Sequence, residues 1–71
     1  MKTTKKPHGQ TYYVTPHKDG WAVRCELNSS VAYSYDNKEK AITTARFLAK
    51  QNRAGLVIQE RDGSVLSEVS Y

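Results

Sequence analysis

From Tyr12 to Leu27 apolar and polar residues alternate on either side of a short polar break, YYVTPHKDGWAVRCEL. That period of two predicts a β-hairpin. In its first arm Tyr12 and Val14 fall on one face and Thr11, Tyr13 and Thr15 on the other, until Pro16 ends regular pairing. His17, Lys18, Asp19 and Gly20 make the connection, where the Asp-Gly dipeptide supplies a residue tolerant of positive φ. In the second arm Trp21, Val23, Cys25 and Leu27 point inward, and Ala22, Arg24 and Glu26 point outward.

Asn28, Ser29 and Ser30 then punctuate the chain, and Val31, Tyr33 and Tyr35 alternate with Ala32 and Ser34 as a third strand. The period changes after Tyr35. Asp36 with Glu39 has the spacing of a helix-capping box, and Asn37 is a rival cap one residue later. Ala41, Ile42, Ala45, Leu48 and Ala49 share one helical stripe, whose alanines let the helix lie close to a sheet. Arg53 complements the helix dipole, and Gly55 offers the left-handed residue that stops a helix. Leu56, Val57 and Ile58 open a fourth strand, and Asp62-Gly63 signals a two-residue turn into a fifth. Pairing Arg61 with Ser64 sets Glu60 opposite Val65, Ile58 opposite Ser67 and Leu56 opposite Val69. The inner face is then Leu56, Ile58, Val65 and Val69. The expected fold is α+β, a single domain in the order βββαββ, with an antiparallel sheet and one helix packed on one face.

Several short segments, taken in order, carry a family resemblance. They are Val14-Thr15-Pro16, Gly20-Trp21-Ala22-Val23-Arg24, Lys38 with Ala41-Ile42 and Ala45-Arg46, Leu56-Val57-Ile58, Asp62-Gly63 and Ser70-Tyr71. Together they resemble the prokaryotic domain of unknown function 2188 family, short bacterial and phage proteins, over about Tyr12 to Tyr71. The resemblance implies no activity and no site residue, because the family has neither assigned. Its members often carry an acidic residue just before the Ala-Ile pair and another before the Leu-Val pair, where this chain has Lys40 and Gly55.

With 71 residues the chain has room for one core, since a domain of this size buries only about 60% of its unfolded surface. A deep catalytic cleft is hard to accommodate. The formal charge is +4, but Lys2, Lys5 and Lys6 supply three of those charges, and from Gln10 onward eight Lys or Arg face seven Asp or Glu. The basic character therefore belongs mainly to residues 1–9, which read as a flexible arm before a domain spanning 10–71. A single cysteine forms no internal disulfide, no apolar run approaches a membrane span, and a polar segment follows the basic N-terminus where a signal peptide would be apolar. These features point to a cytoplasmic protein.

Catalytic chemistry finds little support. Cys25 sits between Val23 and Leu27 on the inner face, where a thiol behaves as a small hydrophobe, and neither His17 nor His8 is placed to meet it. One Cys and two His without motif spacing make no zinc site, so no metal or other cofactor is expected. Asp19, Asp36 and Asp62 occupy turns or caps that explain them. No phosphate-binding glycine loop is present.

Binding is better supported. Arg46, Lys50 and Arg53 share an exposed helix sector that suits phosphates or an acidic partner, although solvated helix faces commonly look the same. Tyr13, Arg24, Val57, Arg61 and Leu66 fall on the outer face of the sheet, among Thr, Ser and Glu residues. Phe47 points nearly opposite the helix's apolar stripe, as an interface aromatic would. The leading expectation is a non-catalytic protein-interaction module, with another protein or a second copy as partner, using Phe47, the sheet face with Tyr13 and Arg24, or an edge strand. The alternative is nucleic-acid binding through the sheet face or Arg46, Lys50 and Arg53, with Lys2, Lys5 and Lys6 adding phosphate contacts. No membrane partner is expected.

Overall fold

A computed structural model of the chain describes residues 10–26 and 28–71, and for residues 28–30 the backbone alone. The arm with Lys2, Lys5 and Lys6 lies outside the described residues, as does Leu27. Six elements follow in order: β1 (Thr11–His17), β2 (Gly20–Cys25), β3 (Asn28–Tyr35), α1 (Lys38–Gln51), β4 (Gly55–Gln59) and β5 (Val65–Ser70). The βββαββ order is as the sequence predicts. β3 starts earlier than expected, at Asn28, which pairs with Cys25 before the register shifts to Arg24 beside Val31.

The five strands form one sheet in the order β3-β2-β1-β4-β5. It is mixed and not purely antiparallel, since β1 pairs parallel with β4, Tyr12 beside Leu56 and Val14 beside Ile58. The helix is the reason. It carries the chain from one edge of the sheet across its face to the far side of β1, and a strand entering after such a crossover runs parallel to the neighbour it meets.

Tyr12, Val14, Trp21, Val23, Leu56 and Ile58 face the helix and form the core with Ala41, Ala45, Ala49 and Ala54. Ile42, Leu48, Cys25 and Tyr35 pack around it, half-buried. The alanine stripe lets α1 lie close to β1 and β2, with its flanks reaching β3 and β4.

The helix begins at Asn37, whose side chain accepts from the Lys40 N–H at 3.2 Å, so the cap falls to the rival and not to Asp36. Its other end also departs from expectation. Arg53, with φ 52°, takes the left-handed position, while Gly55 is already in β4. The Ala54 N–H donates to the Ala49 carbonyl at 2.8 Å and the Arg53 N–H to Lys50 at 3.4 Å, the paired bonds of a Schellman cap.

Both hairpins differ in detail from the sequence reading. In the first, Lys18 carries the positive φ (54°), and Gly20 is required for space: a Cβ there would overlap the Tyr35 carbonyl oxygen. In the second, the loop has three residues, with the Gly63 N–H on the Glu60 carbonyl, the Glu60 N–H on Ser64 and Gly63 at φ 93°. Leu56 opposes Val69 and Ile58 opposes Ser67 as predicted, but a bulge sets Val65 opposite Gln59 instead of Glu60. Cross-strand partners share a face, so Val65 is on the outer face and not the inner one. A second bulge, in β3, pairs Val31 with Arg24 and takes it off the face of Tyr33 and Tyr35.

Candidate protein-interaction surface

The sheet has two edges, β3 and β5, and they are finished differently. β5 is the more open. Val65, Leu66 and Val69 are exposed there, and Tyr71 just beyond it, although Val69 sits directly opposite Leu56, which is fully buried. The contrast arises because α1 covers the sheet only as far as β4.

Which backbone groups of β5 face outward follows from one hydrogen bond. The Tyr71 N–H donates to the Ala54 carbonyl at 3.1 Å, so residues 71, 69 and 67 direct their N–H and C=O toward β4. Glu68 and Ser70 therefore direct theirs to the free edge. On the other side of β4, the Gly55 N–H donates to the Gln10 carbonyl, as the same alternation requires.

Helix side chains divide between two flanks. Thr44 shares a 2.8 Å hydrogen bond with the Tyr35 hydroxyl, which turns its flank toward β3. Phe47, one turn further along, is 60% exposed on that flank, and an open groove of about 330 Å³ there is lined by Tyr35, Glu39, Lys40, Thr43 and Thr44. The opposite flank faces β5. Lys50 sets its Nζ 5.6 Å from the centre of the Tyr71 ring, and Arg46, one turn before Lys50, continues the same row. Arg53 follows at the cap.

The expected site residues thus separate into three places. Lys50 lies against Tyr71 at the end of β5, with Arg46 one turn before it and Arg53 just past the helix, and Phe47 lies on the other flank. Tyr13 and Arg24 are cross-strand partners on the outer face, with Val57 on the other side of Tyr13. Leu66 was expected on the outer face, but Val65, Val69 and Tyr71 were not among the expected site residues. The two adjacent apolar residues Val65-Leu66, which break the alternation after Asp62-Gly63, were the available signal.

Two polar clusters hold this framework. At the end of the helix, the Asn52 side chain donates to the Tyr12 hydroxyl at 3.1 Å and to the Leu48 carbonyl at 2.9 Å. Burial, and next to it Cys25 and Tyr33, push the Tyr12 phenol above its ordinary value. Cys25 is half-buried against the core, its Sγ donating to Gln10 Oε1 at 3.1 Å. At the other end, two cations lie over the buried Trp21 ring, Lys38 Nζ at 4.9 Å and the Arg61 guanidinium at 4.7 Å from its centre. Lys38 also pairs with Glu60 at 3.4 Å.

Asp62 accepts from the Ser64 N–H and hydroxyl, which hold its carboxyl below the usual value. Among the described residues no group of three His, Cys, Asp or Glu is placed to hold a metal ion. No helix among them is long and apolar enough to cross a membrane.

A family model described as an uncharacterised protein conserved in bacteria, DUF2188, matches residues 12–71. The chain belongs to this family. The DUF2188 match starts one residue into β1 and includes all of α1 and β5, so both the core and the open edge lie within it. No curated protein and no solved structure matches the chain.

Proposed function

We propose that this protein is a non-catalytic interaction module that takes an extended segment of another polypeptide as a sixth strand beside β5. The observation that carries the reading is the edge itself: Glu68 and Ser70 direct their backbone groups outward from a strand whose Val65, Leu66 and Val69 are exposed. Strand addition draws its affinity from such backbone groups and its selectivity from alternate side chains. An edge left bare would also template aggregation, which proteins avoid by covering or charging it.

A different chain suits the edge better than a second copy. Antiparallel pairing of two β5 strands about a two-fold axis normal to the sheet puts both helices on one face. The basic flanks of both copies then lie on one face of the joined sheet, with no acidic flank to offset them. The expected solution mass is that of a monomer, and a dimer in light scattering that Glu68→Pro dissociates would assign the edge to self-association.

Nucleic-acid binding is a second reading, favoured by that same row and by Tyr13 beside Arg24. Glu68 on the outer face opposes it, as it pairs with Val57, next to Tyr13.

The test is a panel of extended eight-residue peptides titrated against the protein and its Glu68→Pro variant. Proline at 68 removes an N–H that faces the free edge and leaves the β4–β5 ladder intact. The reading requires peptide binding that Glu68→Pro removes. Binding unaffected by the proline, or seen only with oligonucleotides, rejects it.

A further inference from the structure

We propose that the segment received by β5 is acidic on the side that faces the helix and free of acids on the other. This deepens the strand-addition reading and rests on it. The argument is one of charge placement on the two faces of an added strand, whose residues alternate between them.

On the helix side, the flank of α1 that looks over β5 carries Arg46 and Lys50, with Arg53 at the cap, and the contact between Lys50 and Tyr71 fixes its direction. Beyond Glu39 in the first turn, every charged residue from Lys40 to Arg53 is basic. The nearest candidates for neutralising that row are occupied or turned away. Glu60 pairs with Lys38 at the opposite end of the helix, and Glu68 pairs across to Val57 on the outer face. The sheet surface beneath the row is open and partly apolar, with Val69 40% exposed. A strand added about 4.8 Å beyond β5 brings its helix-side residues next to Val69 and within reach of long Lys and Arg side chains. On the outer side the same strand runs beside Glu68, where a further carboxylate would be repelled.

The chain's own N-terminal arm is excluded as occupant by sign, since Lys2, Lys5 and Lys6 match the charge of the row. A nucleic acid would satisfy the cations but not the backbone donors and acceptors of Glu68 and Ser70. An extended peptide with carboxylates at every second position satisfies both.

The experiment is fluorescence anisotropy with two labelled eight-residue peptides, one alternating threonine with glutamate and one alternating threonine with glutamine, and with a single-stranded oligonucleotide. Each is titrated against the wild-type protein, the Arg46→Glu/Lys50→Glu variant, Lys40→Glu and Glu68→Pro. Lys40→Glu makes the same kind of charge change on the flank that faces β3. The expected result is that the glutamate peptide binds about tenfold tighter than the glutamine peptide at low salt, from two or three partly exposed ion pairs. Lys40→Glu keeps that preference, and Arg46→Glu/Lys50→Glu abolishes or inverts it.

Equal binding of both peptides, lost in Glu68→Pro, overturns the acidic preference while leaving strand addition standing. Absence of peptide binding, or binding indifferent to Glu68→Pro, overturns both. Tighter binding of the oligonucleotide, lost in Arg46→Glu/Lys50→Glu, overturns the inference in favour of a nucleic acid.

Discussion

The backbone N–H of Tyr71 donates to the carbonyl oxygen of Ala54 at 3.1 Å, and this bond sets the parity of the edge strand from Ser67 to Tyr71, up to the bulge. It divides β5 into residues that hold the fold, Ser67 and Val69, and residues whose backbone is free to receive a partner, Glu68 and Ser70. Proline substitution separates the two classes. Val69→Pro deletes a donor to β4 and leaves the buried Leu56 carbonyl unsatisfied, at a cost of about 1–3 kcal/mol. Glu68→Pro is expected to stay within about 0.5 kcal/mol of wild type in urea unfolding. Equal destabilisation by the two would contradict the parity.

Gly20 and Gly63 are both needed, for different reasons. At Gly20 a methyl group would overlap the backbone oxygen of Tyr35, just before the helix cap, and relief requires β3 and the start of α1 to move. Gly20→Ala is expected to cost about 1–3 kcal/mol, as overpacking does. At Gly63 the space is empty and the penalty is conformational, about 1 kcal/mol for a side chain at φ 93°. Chemical denaturation of the two variants gives the order directly, and Gly20→Ala alone should perturb the emission of the neighbouring Trp21.

Trp21 is the only tryptophan, and two cations lie over its ring. Arg61→Ala is expected to lower stability by about 0.5–1 kcal/mol through loss of its cation–π contact. Lys38→Ala should cost about as much, since each cation makes one further polar contact at 3.4 Å, Lys38 with Glu60 and Arg61 with the Lys18 carbonyl. Unfolding followed by tryptophan fluorescence measures both. Two neutral outcomes would mean that the cations merely rest on a ring held by the core.

Alkaline pH is expected to weaken the fold through Tyr12. Its phenol titrates higher in the folded chain than in the unfolded one, so above about pH 10 the unfolded chain has lost a proton that the native chain still holds. The unfolded state then binds fewer protons, and stability falls as pH rises from there through the raised native value. Below about pH 10 the contribution is fully present. Tyr12→Phe should flatten this part of the profile, at a cost of about 1 kcal/mol for the lost Asn52 hydrogen bond. An unchanged alkaline slope in the variant would remove Tyr12 as its cause.

The sequence made some relationships legible because they are local or periodic. Alternation placed Tyr12, Val14, Trp21 and Val23 on one face, whereas Leu56 meets Val69 as expected only because the bulge offsets a loop one residue longer than the turn residues signalled. The helical stripe identified Ala41, Ala45 and Ala49. Other features depend on groups that alternation does not reach. Nothing in the period of β1 says which strand lies on its second side, although the unbroken Leu56-Val57-Ile58 run is what a strand buried on both faces looks like. The bulge at Val65 and Leu66 moved one valine across the sheet, and only the completed strand order made β5 an edge. Arg46, Lys50 and Arg53 were legible as an exposed group, but not that Lys50 turns them toward Tyr71. Phe47, singled out by its position opposite the stripe, is exposed, but it lies away from the edge.

The most direct test of the central claim is amide hydrogen exchange of the uniformly labelled protein, measured by NMR with and without the glutamate–threonine peptide. Strand addition at β5 requires the Glu68 and Ser70 amides to exchange quickly in the free protein and to become protected on binding, while Val69 and Tyr71 are protected in both. Protection that appears instead along β3 or around Phe47, with Glu68 and Ser70 unchanged, would contradict the account.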